Sequence, residues 1–204
     1  MRGAFRAIRL YFTITIIARI RKKIKHAKKG KQIMKFLIAS DIHGSFYYCK
    51  KLFKVFERER ADRLILLGDL LYHGPRNELP REYAPKQVIT LLNSYSERLL
   101  CVRGNCDAQV DQMVLNFPIM AEYAVMPLGE KVIYFTHGHS FGKDNPPPLK
   151  KGDILFCGHT HIPENSDCGP FTYMNCGSVA LPKNDTPHSY MVLENDEFSM
   201  GAIE

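Results

Sequence analysis

No apolar run in the 204 residues is long enough to cross a bilayer. The best candidate, residues 10–18, is nine residues long, whereas a helix needs about 20 to span the hydrocarbon core. That run is not a secretion signal either, because Arg19-Ile20-Arg21-Lys22-Lys23 follows it where a small-residue cleavage site belongs. Six cysteines are present (Cys49, Cys101, Cys106, Cys157, Cys168 and Cys176), but no C-x-x-C knuckle. With no export signal, and a chain too large to need staples, reduced thiols in a cytoplasmic protein are expected. Tryptophan, internal repeats and low-complexity tracts are also missing.

Acid is absent from residues 1–33, which hold 11 of the 28 lysines and arginines. The net charge of +7 is therefore uneven: residues 34–204 carry 17 basic residues against all 21 acidic ones, a net of −4. That body lacks the basic stripe that duplex nucleic acid requires, so no duplex partner is expected. Residues 1–33 are expected to be a basic extension, disordered or loosely helical, read from an upstream start codon, with the functional domain spanning 34–204. The alternative is a basic amphipathic helix contacting a membrane or an acidic partner.

What is present is an ordinary globular composition, 45% hydrophobic and 24% charged, long enough to bury a real core. Residues 36–39, 64–67, 99–102 and 154–157 are short apolar runs that read as buried strands. Ser45 is placed to cap a helix reaching about residue 60, with Leu52, Phe53, Val55 and Phe56 as its apolar stripe. Pro85 suits the first turn of a second helix that turns Val88, Ile89, Leu91 and Leu92 inward. Residues 122–136 read as a hairpin turning at Leu128-Gly129-Glu130, and residues 190–203 as a closing hairpin around Asn195-Asp196. A βαβαβ half followed by a mostly β half predicts two sheets packed face to face, with helices outside.

The apolar runs end in polar signatures: Asp41-Ile42-His43-Gly44, Gly68-Asp69, Gly104-Asn105-Cys106-Asp107, His137-Gly138-His139 and Gly158-His159-Thr160-His161. Open α/β sheets place their ligands at such strand ends. Period-two spacing along an extended strand would put Asp41 and His43 on one side of the backbone. Each signature alone has a plain structural reading, as an Asx turn, a strand terminator or a satisfied core histidine. Together, Asp41, His43, Asp69, Asn105, His137, His159 and His161 are too many for one ion with an open position. They suit two ions sharing a carboxylate. Oxygen and nitrogen donors without thiolate favour manganese, iron, zinc or nickel over calcium. A competing structural zinc site from Cys157, His159, His161, Cys168 and Cys176 would leave the other five unexplained.

With these residues in place the chain resembles the calcineurin-like metallophosphoesterase superfamily, and within it the small bacterial and archaeal phosphodiesterases of the YfcE type. The pattern D-x-H, G-D, G-N-[H/C], H and G-H-x-H appears in order, and the resemblance extends from about residue 34 to the C-terminus, including Asn175-Cys176-Gly177-Ser178-Val179. It implies an α/β fold, a four-layer αββα sandwich of two mixed β-sheets flanked by helices. It also implies a metal-dependent phosphodiesterase that attacks a small diester in line with a hydroxide bridging two metals. Two divalent transition-metal ions would be held, manganese first, with iron, zinc or nickel as the other candidates. Asp41, His43 and His161 would take one ion, Asn105, His137 and His159 the other, and Asp69 would bridge. Asp69, Asn105, Cys106 and His137 are the candidate catalytic residues, and His73 and Arg76 the candidate phosphate contacts. Cys106 stands where many members have a histidine, so leaving-group protonation is in doubt. The alternative reading is a catalytically silent scaffold on the same fold. A homo-oligomer is compatible with both.

Overall fold

The computed structural model describes residues 34–204, and the expectations for the basic arm fall outside the described residues. Ten strands form two five-stranded mixed sheets. In the first sheet, β1 (Phe36–Ala39), β2 (Arg63–Leu66) and β3 (Leu99–Cys101) run parallel, and the antiparallel hairpin β9 (Ser189–Glu194) and β10 (Glu197–Ala202) adds to the outer side of β1. The second sheet has the order β4 (Ala124–Leu128), β5 (Lys131–Phe135), β6 (Ile154–Cys157), β8 (Thr172–Cys176) and β7 (Pro163–Asp167). Its three central strands are parallel, and its two edges antiparallel.

Period-two alternation sorts the side chains into layers. Ile38, Ile65, Leu67 and Met191 of the first sheet meet Ile133, Phe135, Phe156 and Met174 of the second in one buried core. The alternate residues Leu37, Leu64, Leu66 and Val192 face the helices. Removing a fully buried ring such as Phe156 from the inter-sheet core would cost about 3–5 kcal/mol.

Helix α1 (Phe46–Arg58) begins where Ser45 Oγ accepts the Tyr48 N–H at 3.3 Å, and it buries Cys49, Leu52, Phe53, Val55 and Phe56. Helix α2 (Pro85–Ser94) starts on the proline and fully buries Val88 and Leu92, with Ile89 and Leu91 only partly covered. A single turn, α3 (Gln109–Gln112), follows β3. The two mixed sheets and the helical layer on the first sheet are as expected. The outer face of the second sheet, with Leu155, Cys157, Phe171 and Tyr173, is covered by Leu149 and neighbouring loop residues, with no helix over it among the described residues. Among those residues no helix is long and apolar enough to cross a membrane, and all six cysteines are free thiols.

Candidate metal centre

The parallel strands of both sheets deliver their C-terminal turns to one place. Backbone bonds join the turn after β1 to the turn after β2: Asp41 N–H donates to Gly68 O at 3.1 Å, His43 N–H to Asp69 O at 2.9 Å, and Gly44 N–H to Leu70 O at 2.9 Å. The second sheet is tied in by His159 N–H on Asp41 Oδ2 at 3.0 Å and by Val179 N–H on Ser40 O at 2.9 Å.

Five of the seven expected ligands have left-handed backbone: Asp41 (φ 61°), His43 (φ 48°), Asp69 (φ 55°), His159 (φ 66°) and His161 (φ 64°). This corrects the strand-alternation reading of Asp41 and His43, which lie beyond β1 in a turn. Their side chains converge because the chain coils, not because it is extended. Non-glycine residues in this region cost of order 1 kcal/mol or more each, and such strain concentrates at functional sites. Two glycines allow the turns to close. A Cβ at Gly104 would stand 2.1 Å from Asp69 Oδ1, and one at Gly158 only 2.0 Å from Ser40 Oγ.

Three imidazoles are held alike. The Nδ1–H of His43 donates to Tyr72 O at 2.8 Å, that of His137 to Leu67 O at 2.6 Å, and that of His161 to Leu181 O at 2.5 Å. A carbonyl only accepts, so each Nδ1 carries a proton, and each ring, when neutral, has its Nε2 lone pair facing inward. These lone pairs meet other acceptors. His43 Nε2 lies 3.2 Å from His161 Nε2, and Asp41 Oδ1 lies 3.4 Å from the first and 3.2 Å from the second. Asp41 Oδ1 is buried and has no hydrogen-bond partner. His137 Nε2 faces Asn105 Oδ1 at 3.0 Å, His159 Nδ1 at 3.2 Å and Asp69 Oδ2 at 3.5 Å. Converging acceptors in a buried place call for a cation, and this donor set fits divalent metal. Asp41, His43 and His161 form one group within bonding reach of a common ion, and Asp41, Asp69 and His137 another.

Titration follows from the same crowding. Burial opposes charge on Asp41, but His161 and His43 beside it hold the carboxyl well below its ordinary range. Burial likewise opposes charge on His137, yet Asp69 and Asp41 push it up to about 9. His159 is pushed down to about 4, by burial first and then by repulsion from His137. Burial, then the Asp69 carboxylate, pushes the Cys106 thiol far above its usual value, so it stays protonated.

The structure brings all seven expected ligands together. Asn105 is exposed at the rim, and its Nδ2 donates to Cys106 Sγ at 3.2 Å. Outside them opens a cleft of about 410 Å³ lined by Arg76, Asn77, Cys106, Thr160 and Lys183 among others. Arg76 is thus at the cleft, but His73 is not among its lining residues. The His73 ring is tucked between Tyr72 and Tyr83, with Nδ1 buried and unpartnered. The alternative zinc site does not form: no metal-capable group among the described residues contains Cys157, Cys168 or Cys176.

Three residues had no role assigned from sequence. Asp107 is buried and accepts backbone N–H groups from Asp69 at 2.8 Å, Leu70 at 2.9 Å and Gly104 at 2.7 Å, locking the turns after β2 and β3 together. Asn175 donates to Gly158 O at 2.6 Å and to Thr160 Oγ1 at 3.1 Å, holding the His159–His161 turn. Lys183 faces the cleft. Asp107 and Asn175 lay inside quoted motifs, but only their long-range partners reveal the job.

Comparisons with known proteins bear on the family and the fold. Residues 34–197 match the model of the calcineurin-like phosphoesterase superfamily domain. The chain is 44% identical over 171 residues to phosphodiesterase YfcE of Escherichia coli K12, covering 84% of this chain and 93% of that protein. The solved structure of YfcE, a phosphoesterase from E. coli, superposes with a TM-score of 0.77 at 41% identity, covering 84% of this chain and all of that one. Vps29 of Chaetomium thermophilum, at 17% identity and a TM-score of 0.55 over 79% of this chain and 82% of its own, shares the fold.

Proposed function

The chain belongs to the calcineurin-like phosphoesterase superfamily, and from that membership we propose that it is a phosphoric diester hydrolase acting on small diesters by in-line displacement at a two-metal centre. The observation that carries the reading is the pair of inward lone pairs on His43 and His161, 3.2 Å apart beside the unpartnered Asp41 Oδ1. Asp41, His43 and His161 would hold one divalent ion, Asn105, His137 and His159 the other, and Asp69 both. Carboxylate, amide and imidazole donors without thiolate suit manganese, iron, zinc or nickel, and manganese is the first candidate from the family resemblance. Ions held by these residues would supply the chemistry that in-line displacement requires, a water acidified toward neutral pH and charge drawn off the phosphoryl oxygens.

The chain's own residues then orient and complete the site. The carbonyls of Tyr72, Leu67 and Leu181 fix three rings, and the Cys106 N–H holds Asp69 Oδ1 at 2.7 Å. Anchors of this kind set ligand orientation and basicity. Arg76, on the cleft wall, is placed to meet a phosphate oxygen. Cys106 offers a neutral thiol where a histidine would offer an acid with pKa near the working pH. A thiol held protonated donates poorly to an alkoxide, which favours diesters with good leaving groups over monoesters.

Elemental analysis of purified protein together with turnover of bis(4-nitrophenyl) phosphate tests the reading. Two transition-metal ions per chain are expected, with turnover lost in Asp69→Ala and His159→Ala. Full turnover in both variants would refute it. A silent scaffold has no need of all seven ligands, and this chain retains every one.

A further inference from the structure

Among the described residues six lysines and arginines are held in ion pairs. Lys35 meets Glu59 and Glu194, Lys50 meets Glu82, Arg98 meets Glu57, and Arg103 meets Glu122. Arg76 and Lys183 have no ion-pair partner among the described residues, and both line the cleft outside the metal-site side chains. The only carboxylate in that lining is Asp69, which faces the buried histidines. In a body carrying a net −4, the mouth of the cleft is locally cationic.

Both cations sit on built turns. Gly74, at φ 82°, opens the turn that carries Arg76, and Asn77 Nδ2 closes it on His73 O at 2.8 Å. A Cβ at Gly74 would come within 3.3 Å of Cys106 Sγ, so this turn lies against the thiol. Lys183 N–H donates to His161 O at 3.3 Å, and Lys183 O accepts both the N–H and the hydroxyl of Thr186, at 3.2 and 2.7 Å. The base of Lys183 is therefore fixed to the turn bearing His161.

The scissile group of a diester carries a single negative charge, and the metal-site residues already account for it. From this, and resting on the diesterase reading above, we propose that Lys183, across the cleft mouth from the scissile phosphate that Arg76 meets, forms an anion subsite and that the substrates are phosphodiesters bearing a second anionic group, a phosphate or a carboxylate. A cleft of about 410 Å³ suits such a small molecule, not a polymer. Lys183 acts here as a specificity residue: it binds the far end of the substrate and takes no part in displacement at phosphorus.

Two esters with one leaving group test this: ethyl 4-nitrophenyl phosphate and its 2-(phosphonooxy)ethyl counterpart, assayed on manganese-reconstituted full-length protein. The ratio of kcat/KM for the phosphonooxy ester to that for the ethyl ester, which carries only the charge of its scissile group, is read. Wild type should prefer the phosphonooxy ester by about tenfold, the scale of one charge-assisted hydrogen bond at a partly exposed site. Lys183→Gln should bring the ratio close to one, Lys183→Arg should restore it, and Lys183→Glu should invert it, each at the melting temperature of wild type. Added salt should erode the preference, because the subsite is open to solvent. If the ethyl ester turns over but the ratio stands near one, or is the same in Lys183→Gln as in wild type, the subsite is refuted and the diesterase stands. If neither ester is hydrolysed, both readings fail together.

Discussion

His43 Nε2 and His161 Nε2 stand 3.2 Å apart, with the Nδ1–H of each ring already committed to a backbone carbonyl. Two acceptor lone pairs aimed at each other beside a buried carboxylate repel unless a positive charge lies among them. In the metal-free protein a proton can play that part: burial opposes charge on His43, but the Asp41 carboxylate beside it raises its affinity for a proton. Metal ions play it better, because each satisfies several donors at once.

Protons and metal therefore compete, and the sign follows from His137. Its folded-state pKa is raised to about 9, above its ordinary 6.5, so the stability it confers on the metal-free protein is complete below 6.5 and fades as pH rises through 9. Metal must displace that proton anywhere below pH 9. The apparent affinity for Mn²⁺ should rise with pH from 6.5 to 9, by up to about tenfold per pH unit for one proton. Calorimetric titrations across that range, in buffers of differing ionisation enthalpy, should show proton release on binding. Affinity independent of pH would contradict the assignment.

Asp107 should be as costly to lose as a ligand, though it touches none of the inward lone pairs. Asp107→Ala leaves three buried backbone donors, on Asp69, Leu70 and Gly104, without acceptors. At roughly 1 kcal/mol or more apiece the loss is about 3 kcal/mol. That would lower the melting temperature by ~6–12 °C in a domain of this size, and would also loosen the Asn105-Cys106 turn and cut turnover. A melting temperature within 2 °C of wild type would show that water replaces the carboxylate.

Cys106 sets a testable limit on substrate choice. Burial and Asp69 keep its thiol protonated, so alkylation by iodoacetamide at pH 8 should be slow. Cys106→His restores a donor near working pH, and a placed general acid contributes ~10²–10⁴-fold. The ratio of monoester to diester kcat/KM should rise in Cys106→His and not in Cys106→Ala. An equal ratio in all three proteins would move the origin of specificity to the loop at residues 70–83.

The parts legible in the sequence were those with local signals. Continuous apolar runs announced β1, β2, β3 and β6, Ser45 and Pro85 announced the helix starts, and Asn195-Asp196 announced the last hairpin. β7, reading Pro-Glu-Asn-Ser-Asp, carried no such signal, because an edge strand can be polar and can begin with proline. The joining of β9 to β1 spans most of the domain and leaves no local trace. At the site, the ligand types were readable while the backbone that assembles them was not: left-handed turns at Asp41 and His43 mimic the spacing of an extended strand. The roles of Asp107 and Asn175 depend on backbone groups far away in the chain, which no motif encodes.

Stepwise reconstitution addresses the two-metal claim most directly. Protein stripped by chelation is titrated with Mn²⁺ while hydrolysis of bis(4-nitrophenyl) phosphate is followed. Negligible turnover is expected in the stripped protein, with activity rising to its plateau at two equivalents per chain and a plateau below wild type in His159→Ala. Turnover that survives chelation, or that is complete at one equivalent, would contradict it.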